Sequence, residues 1–273
     1  MKVLIIIIAS RKEEHEADRV WQIKTWASEN SNTVSVLWLR GWDERSFFLD
    51  GRDLYVPCKE DFDKILEKTI YGLKFALENN DFDILIRSNV STYFDLNLLV
   101  KELSRSKYKE DFYGGYVDKS NGGYFEASRP IEYLSGTGIF MSRAYAELLS
   151  NLNSQDYLGI PDDVAISKFF DRNGLRRLRI KRNNLSSTHI FVPTFHIRAK
   201  SSTDAALAGK RMLLIDRYFS TRNTLLRLKI YLLIICMEVV AFKKHPESIK
   251  LYILRNRVVF SSYIRMKIEE FFG

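Results

Sequence analysis

The feature that most constrains the fold is a pair of short apolar runs separated by one amphipathic stretch. The runs are residues 3 to 9 (VLIIIIA) and 34 to 39 (VSVLWL). In the stretch between them, RVWQIKTWASE, apolar side chains recur at helical spacing at Val20, Ile23, Trp26 and Ala27. Short continuous Val and Ile runs are typical of strands that are buried on both faces. A strand, a helix and a second strand in this order predict a right-handed crossover and therefore a parallel sheet.

The first apolar run could also belong to a signal peptide, because MKVLIIIIAS begins with one Lys and a short apolar segment. It passes directly into the strongly charged RKEEHEADR, however, so we predict a buried strand. The two cysteines, Cys58 and Cys236, lie far apart, and the sequence has no CxxC pair and no His/Cys cluster. This usage favours a reducing compartment and predicts a cytoplasmic protein.

Composition excludes several classes of protein. Of the 273 residues 46% are hydrophobic and 28% are charged, which excludes a disordered or collagen-like chain. The net charge of the chain is +8. From Thr221 onward there are ten Lys and Arg residues and four Glu residues, so this tail carries +6 of the net charge. A basic tail suits an anionic membrane surface or an anionic substrate carrier. It contains no recognisable nucleic-acid module, so we expect no nucleic-acid partner.

Further elements follow along the chain. The segment DFDKILEKTIYGLKFALENN predicts a long amphipathic helix whose apolar face is Phe62, Ile65, Leu66, Thr69, Leu73 and Leu77. FDILIRSNVSTYF predicts an apolar strand that runs into a polar turn, where ligands bind in open α/β sheets. LNLLVKELSR and AYAELLSNL read as helices, and a third begins at Asp162 or Asp163, where a carboxylate is favoured by unpaired amide groups.

The carboxyl-terminal part reads as helical from about residue 204. Its segment TLLRLKIYLLIICMEVVAF has a core of about fourteen apolar-rich residues, which is short for a membrane span of about twenty. We predict an amphipathic helix that packs on the domain or lies on a membrane surface. The sequence thus divides into a catalytic α/β domain, residues 1–203, and a basic helical extension, residues 204–273, that could also form a homodimer.

Five segments, taken in order, correspond to motifs of one known family. RVWQIKTWA, LYVPCKEDFDKILEKTIYGLKFA, YLSGTGIFMSRAYAELL and PDDVAISKFF match its motifs through these residues: Ile23, Lys24, Thr25, Trp26, Leu66, Lys68, Thr69, Tyr133, Ser135, Gly136, Gly138, Ser142, Asp162, Asp163 and Val164. FDILIRSNVSTYFDLNLL lies where the family has a strand that leads to an acidic triplet. In order and spacing they resemble the β-1,3-galactosyltransferase and Fringe family of inverting glycosyltransferases. The resemblance covers residues 1 to 196 and implies a GT-A, Rossmann-like α/β fold with a central, mostly parallel sheet flanked by helices.

The resemblance also implies site residues. Asp163 takes the position of the family's catalytic base, beside Asp162, although either carboxylate could simply cap the helix. The family's metal-binding acidic triplet is replaced by Asn89-Val90-Ser91, and neutral Asn and Ser are poor sole ligands for Mn²⁺ or Mg²⁺. His196 takes the position of a histidine that completes the family's metal site, but it could be an ordinary core histidine.

Other residues are candidates for binding the donor and the acceptor. Along FHIRAK, alternation places His196, Arg198 and Lys200 on one side of a strand, followed by Lys210 and Arg211 on the next helix. Arginine and lysine can neutralise a diphosphate directly. The complete donor set is Ala9, Ser10, Arg11, Asp53, Arg87, Asn89, Ser91, Arg198 and Lys200, with Tyr55 near Asp53. Ser135, Gly136 and Gly138 suit a tight turn against an acceptor sugar.

Three interpretations of the neutral triplet stay open at this point: metal-independent catalysis, a metal held by other groups, or an inactive descendant. The leading function is transfer of a hexose or N-acetylhexosamine from a UDP-sugar to a glycan or lipid-linked acceptor, as in lipopolysaccharide or capsule assembly. We expect no cofactor, and a peripheral position on the inner membrane face through the basic tail. The alternative is a catalytically inactive protein that binds nucleotide or glycan on the same fold.

Overall fold

A computed structural model describes residues 1–28, 31–120, 131–184, 194–199, 208–221, 224–227, 229–231 and 233–234. The strands are β1 (Val3–Ile8), β2 (Val34–Trp42), β3 (Phe48–Asp50), β4 (Asp53–Pro57), β5 (Ile84–Asn89), β6 (Thr92–Phe94), β7 (Tyr113–Ser120), β8 (Ile131–Ser142), β9 (Arg177–Arg179), β10 (Asn183–Asn184) and β11 (His196–Arg198). The helices are α1 (Glu13–Lys24), α2 (Ile65–Asn79), α3 (Leu96–Leu103), α4 (Arg143–Ser150), α5 (Asp162–Arg172) and α6 (Ala208–Ser220).

The strands form one large mixed sheet and one small sheet. The large sheet has eight strands in the order β3-β4-β2-β1-β5-β8-β7-β9. Strands β4, β2, β1 and β5 run parallel to one another, as the opening strand-helix-strand pattern predicted. Strand β8 is antiparallel to β5 and to β7, and β3 is antiparallel to β4, whereas β9 runs parallel to β7 at the opposite edge of the sheet. The small sheet has the order β10-β11-β6.

Strand β1 is the centre of the core, which confirms the interpretation of the first apolar run. All of its residues are buried. Val3, Ile5 and Ile7 pack into the hydrophobic cluster on one face of the sheet, whereas Leu4 and Ile6 pack into the cluster on the other. A strand between two helical layers needs apolar residues at every position, because each residue faces one layer or the other.

The helix face predicted around Val20 is wrong in part. Val20 is 39% exposed, while Trp26 and Ala27 are buried in residues that follow the end of α1. The side chain that α1 buries is instead polar, Gln22. Its Nε2 donates to the backbone oxygens of Asn89 (3.2 Å) and Thr92 (3.1 Å), and its Oε1 accepts from Nε1 of Trp38 (2.9 Å). These hydrogen bonds of Gln22 therefore stabilise the turn that follows β5.

The predicted second helix begins later than its apolar pattern indicates. Asp61 accepts a hydrogen bond from the backbone N–H of Phe62 and starts a 3₁₀ turn, Phe62–Lys64, so α2 begins only at Ile65. Phe62 is consequently out of register with the apolar face and is 69% exposed, contrary to the prediction. Leu66 and Leu73 pack against the sheet as predicted.

The described part of the carboxyl-terminal region shares the core of the large sheet. Met212 and Ile215 of α6, with Ile230 and Ile234 beyond it, belong to the same hydrophobic cluster as Val3. The division at residue 203 stays a prediction. Among the described residues no helix is long and apolar enough to cross a membrane. Most of TLLRLKIYLLIICMEVVAF, with Cys236 and the basic tail beyond it, lies outside those residues.

We predict that Gln22→Leu destabilises the protein, because it removes hydrogen bonds to the backbone oxygens of Asn89 and Thr92 and leaves the buried indole N–H of Trp38 without its partner. The expected loss in the free energy of unfolding is roughly 2–4 kcal/mol, measured by urea denaturation. The control is Gln155→Leu, at an exposed glutamine, for which we expect a change within about 0.5 kcal/mol. Equal effects of the two substitutions would contradict the role given to Gln22.

Candidate functional site

A cleft of about 320 Å³ lies at the carboxyl ends of β1 and β5, beside the first turn of α5. It therefore occupies the edge of the sheet where the sequence predicted chemistry. These predicted site residues line it: Arg87, Asn89, Ser91, Ser135, Gly136, Asp162, Asp163 and Arg198. Residues that are distant from one another in the sequence thus meet in one place.

Asp163 is held at the floor of the cleft by backbone groups. Its Oδ2 accepts from the N–H of Gly136 (3.0 Å) and its Oδ1 from the N–H of Val164 (2.9 Å). Burial, with the negative charge of Asp162 second, raises the pKa of Asp163 to about 6, against the opposing effects of Arg87 and the two backbone donors. A carboxylate with this pKa can accept a proton near neutral pH and hold it.

Asp162 has a different partner from its neighbour. Its carboxylate forms an ion pair with the buried guanidinium of Arg87, which also donates to the backbone oxygen of Gly136. Arg87 was predicted to contribute to donor binding, and a charged side chain at this position could also form an ion pair. The ion pair is present, but it is buried, and it occupies the charge of Arg87.

A bulge in β8 forms one wall of the cleft. Gly115 pairs with Ile139 and Val117 pairs with Leu134, so one residue of β7, Tyr116, faces four residues of β8, numbers 135–138. The hydroxyl groups of Ser88 (2.7 Å) and Thr92 (3.0 Å) donate to the backbone oxygen of Thr137, which joins the bulge to β5 of the large sheet and to β6 of the small sheet. Bulges of this kind re-aim side chains next to functional sites.

The two glycines of the bulge make room for the protein's own side chains. A Cβ at Gly136 would lie 2.5 Å from Nη1 of Arg87, and one at Gly138 would lie 2.7 Å from Cε1 of His196. Gly138 is not among the residues that line the cleft, whereas Ser135 and Gly136 are. The geometry therefore explains both glycines without an acceptor sugar.

The turn with the neutral triplet, Asn89-Val90-Ser91, is internally bonded. Oδ1 of Asn89 accepts from the N–H of Ser91 (3.2 Å), from Oγ of Ser91 (3.0 Å) and from Oγ1 of Thr92 (2.9 Å). The amide oxygen that could reach a metal is thus already used, and the next side chain, Val90, is buried and apolar.

His196 is a core residue. Its ring is fully buried and stacks on Phe94, with 5.2 Å between the ring centroids. Burial, and then the charge of Arg182, lower the pKa of His196 to about 3, so it is neutral. In the described part of the chain no three His, Cys, Asp or Glu side chains converge as a metal would require. The residues present at the triplet and at His196 therefore do not fit the metal site of the resembled family.

Arg198 lines the cleft from the small sheet. Its neighbour Ala199 donates to the backbone oxygen of Ser91 (2.8 Å), and Arg198 itself pairs with Thr92 of β6. This places the guanidinium beside the neutral triplet, as the alternation of FHIRAK indicated. Lys200 lies outside the described residues. Lys210 is exposed and Arg211 is buried on α6, and neither is among the lining residues.

The amino-terminal candidates separate into two groups. Ser10 bonds through Oγ to Nδ1 of His15 (2.7 Å), and the guanidinium of Arg11 lies 5.7 Å from the ring centre of Tyr55, near the end of β1. Ala9 follows Ile8 there, and its backbone oxygen accepts from Lys68 (3.0 Å). Asp53 is instead buried in an ion-pair cluster with Arg19 and Arg40, away from the cleft, which corrects its assignment to a donor-binding loop.

Several cleft residues were missed by the sequence analysis. Glu14, His15 and Asp18 reach it from α1, and Asp118 and Tyr133 from β7 and β8. The charged segment after the first strand was a signal for α1, because it begins where β1 ends. The others depend on pairing between β7 and β8, which leaves no local pattern. Arg182, which bonds to Ser135 and Thr137 beside the cleft, was missed too.

Comparisons with known proteins bear on the fold. No protein-family model and no curated protein matches the sequence. Among solved structures, the chain is similar to a glycosyltransferase involved in the glycosylation of the major capsid of PBCV-1. The TM-score is 0.52 at 10% identity, over 78% of this chain and all of that one. The chain has the fold of that glycosyltransferase.

Two further similarities are weaker. A protein from STIV has a TM-score of 0.36 at 13% identity, over 66% of this chain and 82% of that one. The apo-form glycosyltransferase GlyE of Streptococcus pneumoniae TIGR4 has a TM-score of 0.40 at 8% identity. That match covers 81% of this chain and 64% of GlyE. The fold assignment rests on the first structure.

We predict that the stability of Asp163→Asn relative to wild type increases as the pH rises from 4 to 8. Because the folded-state pKa of Asp163 is raised to about 6, its contribution to stability is full at low pH and is lost as the pH rises through that value. The difference in unfolding free energy, variant minus wild type, should grow by up to about 3 kcal/mol between pH 4 and pH 8. Urea denaturation across this range measures it.

The control for this prediction is Asp50→Asn, at an exposed aspartate at the end of β3. Its stability difference from wild type should stay the same across the pH range. A flat difference for Asp163→Asn as well would contradict the raised pKa.

Proposed function

We propose that the chain is an inverting glycosyltransferase of the GT-A type, related to the β-1,3-galactosyltransferase and Fringe family. Its reaction moves a hexose or N-acetylhexosamine from a UDP-sugar to a glycan or lipid-linked acceptor. The observation that carries the proposal is the carboxylate of Asp163, held in the cleft at the start of α5 with its pKa raised to about 6. The glycosyltransferase fold supports the same reaction class.

In this reaction Asp163 is the general base. The acceptor hydroxyl loses its proton to the carboxylate as its oxygen bonds to the anomeric carbon, and the bond from that carbon to the diphosphate breaks. UDP departs from the opposite face, which inverts the configuration. The two backbone N–H groups that bond to Asp163 fix the carboxylate in place, so that proton transfer needs no reorientation.

Asp162 and Arg87 are positioning residues in this scheme. Burial, and then the negative charge of Asp162, raise the pKa of Asp163 to about 6, so Asp163 can take up a proton. Arg87 holds Asp162 in an ion pair and fastens α5 to the bulge through the backbone oxygen of Gly136.

The departing diphosphate is stabilised without a metal ion in this proposal. The internal bonds of Asn89 and the burial of His196 support it, and so does the position of Arg198 beside the neutral triplet. A guanidinium can donate two parallel hydrogen bonds to phosphate oxygens and supply positive charge at the same time.

The cellular setting is proposed from the sequence. The basic tail suits a lipid-linked acceptor at the cytoplasmic face of a membrane, as in the assembly of a surface polysaccharide. The similar PBCV-1 enzyme is involved in the glycosylation of a capsid protein, so a protein-linked glycan belongs in the acceptor panel as well.

We predict that transfer activity survives EDTA and depends on Asp163. In assays of UDP release with a panel of UDP-sugars and acceptors, Asp163→Asn should lower kcat by about 10²- to 10⁴-fold, the usual contribution of a general base. The wild-type rate should fall below pH 6, because protonated Asp163 cannot accept the acceptor's proton. The exposed Asp156→Asn is the matched control and should keep full activity.

Other outcomes of this assay discriminate between the remaining hypotheses. Strict dependence on Mn²⁺ would overturn metal-independent catalysis. UDP binding without turnover on the whole panel would favour the second candidate, an inactive nucleotide- or glycan-binding protein, which the missing acidic triplet suggests.

We also predict that Asp162→Asn moves the acidic limb of the pH profile of kcat/KM to lower pH. The variant loses the negative charge that raises the pKa of Asp163 and releases Arg87 to act on Asp163 alone. Asp156→Asn should leave the limb where it is in wild type. An unmoved or higher limb in Asp162→Asn would contradict the pairing of roles.

A further inference from the structure

Two arginines beside the cleft have no carboxylate partner among the described residues. Arg198 lines the cleft, and Arg182 precedes β10 in the same small sheet. Neither forms an ion pair with a described Asp or Glu, in contrast to Arg19, Arg40 and Arg87. Arg87 in the cleft is thus neutralised by a carboxylate, whereas Arg198 in the cleft and Arg182 beside it form no ion pair with a described residue.

Arg182 is built into the bulge of β8. Its Nη1 donates to Oγ of Ser135 (2.6 Å) and to Oγ1 of Thr137 (2.7 Å), and its guanidinium lies 4.0 Å from the ring centre of Tyr116. The residue is only 6% exposed. The bulge, in which one residue of β7 lies opposite four residues of β8, therefore contains a positive charge.

Such a charge is unfavourable in the protein alone. Burial, and then repulsion from Arg198, lower the pKa of Arg182 to about 10. Tyr116, Asp118 and Tyr133 oppose this lowering, but no described carboxylate forms an ion pair with Arg182, and two hydroxyl groups replace only part of the hydration that a buried cation loses. An anion bound between the two arginines would remove this penalty.

The hydroxyl groups show where that anion would bind. Oγ of Ser135 accepts a hydrogen bond from Arg182. The same Oγ accepts a second hydrogen bond from Oγ1 of Thr137, at 3.4 Å. A hydroxyl that accepts two hydrogen bonds has its own hydrogen left to donate, and Ser135 lines the cleft. The charge of Arg182 strengthens that donor, because a hydroxyl polarised by a cation binds anions more tightly.

We propose that Arg182, acting through Ser135, forms with Arg198 the binding site for the diphosphate of the nucleotide donor. This inference rests on the proposed function. It adds Arg182 to the proposed donor site, together with the hydroxyl group of Ser135 through which Arg182 acts. Arg182 is a positioning residue, since its guanidinium contacts the hydroxyls, whereas Ser135 and Arg198 contact the phosphate oxygens. A purely structural Arg182 would fill the bulge equally well with or without a phosphate ligand.

The experiment is calorimetric titration in EDTA with three probes: UDP, uridine and inorganic pyrophosphate. The variants are Arg182→Gln, Arg182→Lys and Ser135→Ala. Arg179→Gln is the control, because it removes the same charge from an exposed arginine on the neighbouring strand β9. Thermal unfolding of each variant, alone and with pyrophosphate, runs in parallel.

We expect wild type to bind UDP more tightly than uridine and to bind pyrophosphate. Arg182→Gln and Ser135→Ala should weaken UDP and pyrophosphate by about 10- to 100-fold, the loss of a charge-assisted hydrogen bond, and leave uridine unchanged. The affinity of Arg182→Lys for UDP and pyrophosphate should lie between the affinities of these two variants and that of wild type. Pyrophosphate should raise the melting temperature of wild type and Arg179→Gln, but not that of Arg182→Gln.

Other results decide against the inference or against the proposed function separately. The diphosphate site is overturned if Arg182→Gln binds UDP and pyrophosphate as tightly as wild type does. It is also overturned if wild type binds uridine as tightly as UDP. In both cases the transfer assay alone tests whether a UDP-sugar is the donor. If pyrophosphate binding depends on Arg182 but UDP binds no better than pyrophosphate, the anion site stands and the UDP donor fails. If neither binds, both are overturned. Should Arg182→Gln not fold, Ser135→Ala and Arg182→Lys distinguish the same outcomes.

Discussion

The buried ion pair between Arg87 and Asp162 is the interaction on which the cleft depends. Arg87 belongs to β5 at the centre of the large sheet, Asp162 begins α5, and the same guanidinium donates to the backbone oxygen of Gly136 in the bulge of β8. One side chain thus joins the three elements that carry the site. Loss of one partner from such a buried pair costs about 3–5 kcal/mol, because it leaves a charge uncompensated. Strand, bulge and helix therefore keep their positions together.

The same ion pair gives two identical neighbouring residues different chemistry. Asp162 and Asp163 are adjacent in the first turn of α5, so both lie in the favourable field of the helix amino terminus. Arg87 bonds to Asp162, while Asp163 bonds to two neutral backbone N–H groups. Burial, and then the negative charge of Asp162, raise the pKa of Asp163 to about 6, against the smaller opposing effects of Arg87 and the two N–H groups. The order of the two residues matters less than which of them reaches the arginine.

The sequence predicted the parts of the fold that depend on local pattern. The continuous apolar run of β1, the helix start at Asp162 and the strand that ends at Asn89 were all visible, because burial on both faces and capping leave a signature within a few residues. The prediction for Phe62 failed because the hydrogen bond to Asp61 delays the helix by one turn. Asp53 was misassigned because its partners, Arg19 and Arg40, are distant in sequence, and a charge carries no sign of its partner. Arg182 depends on a mismatch between two strands, which only the pairing reveals.

In the proposed site the neutral triplet and the unpaired arginines depend on each other. Arg198 lies opposite Thr92, directly beside Asn89-Val90-Ser91. Aspartates in that turn would form ion pairs with Arg198, and each such pair would cancel a charge that the diphosphate needs. A metal ion requires carboxylates around it, whereas a guanidinium brings its charge on a covalent side chain and is weakened by them. In the proposed site, neutral side chains at residues 89–91 are therefore the condition under which two arginines can supply the positive charge at the donor phosphates.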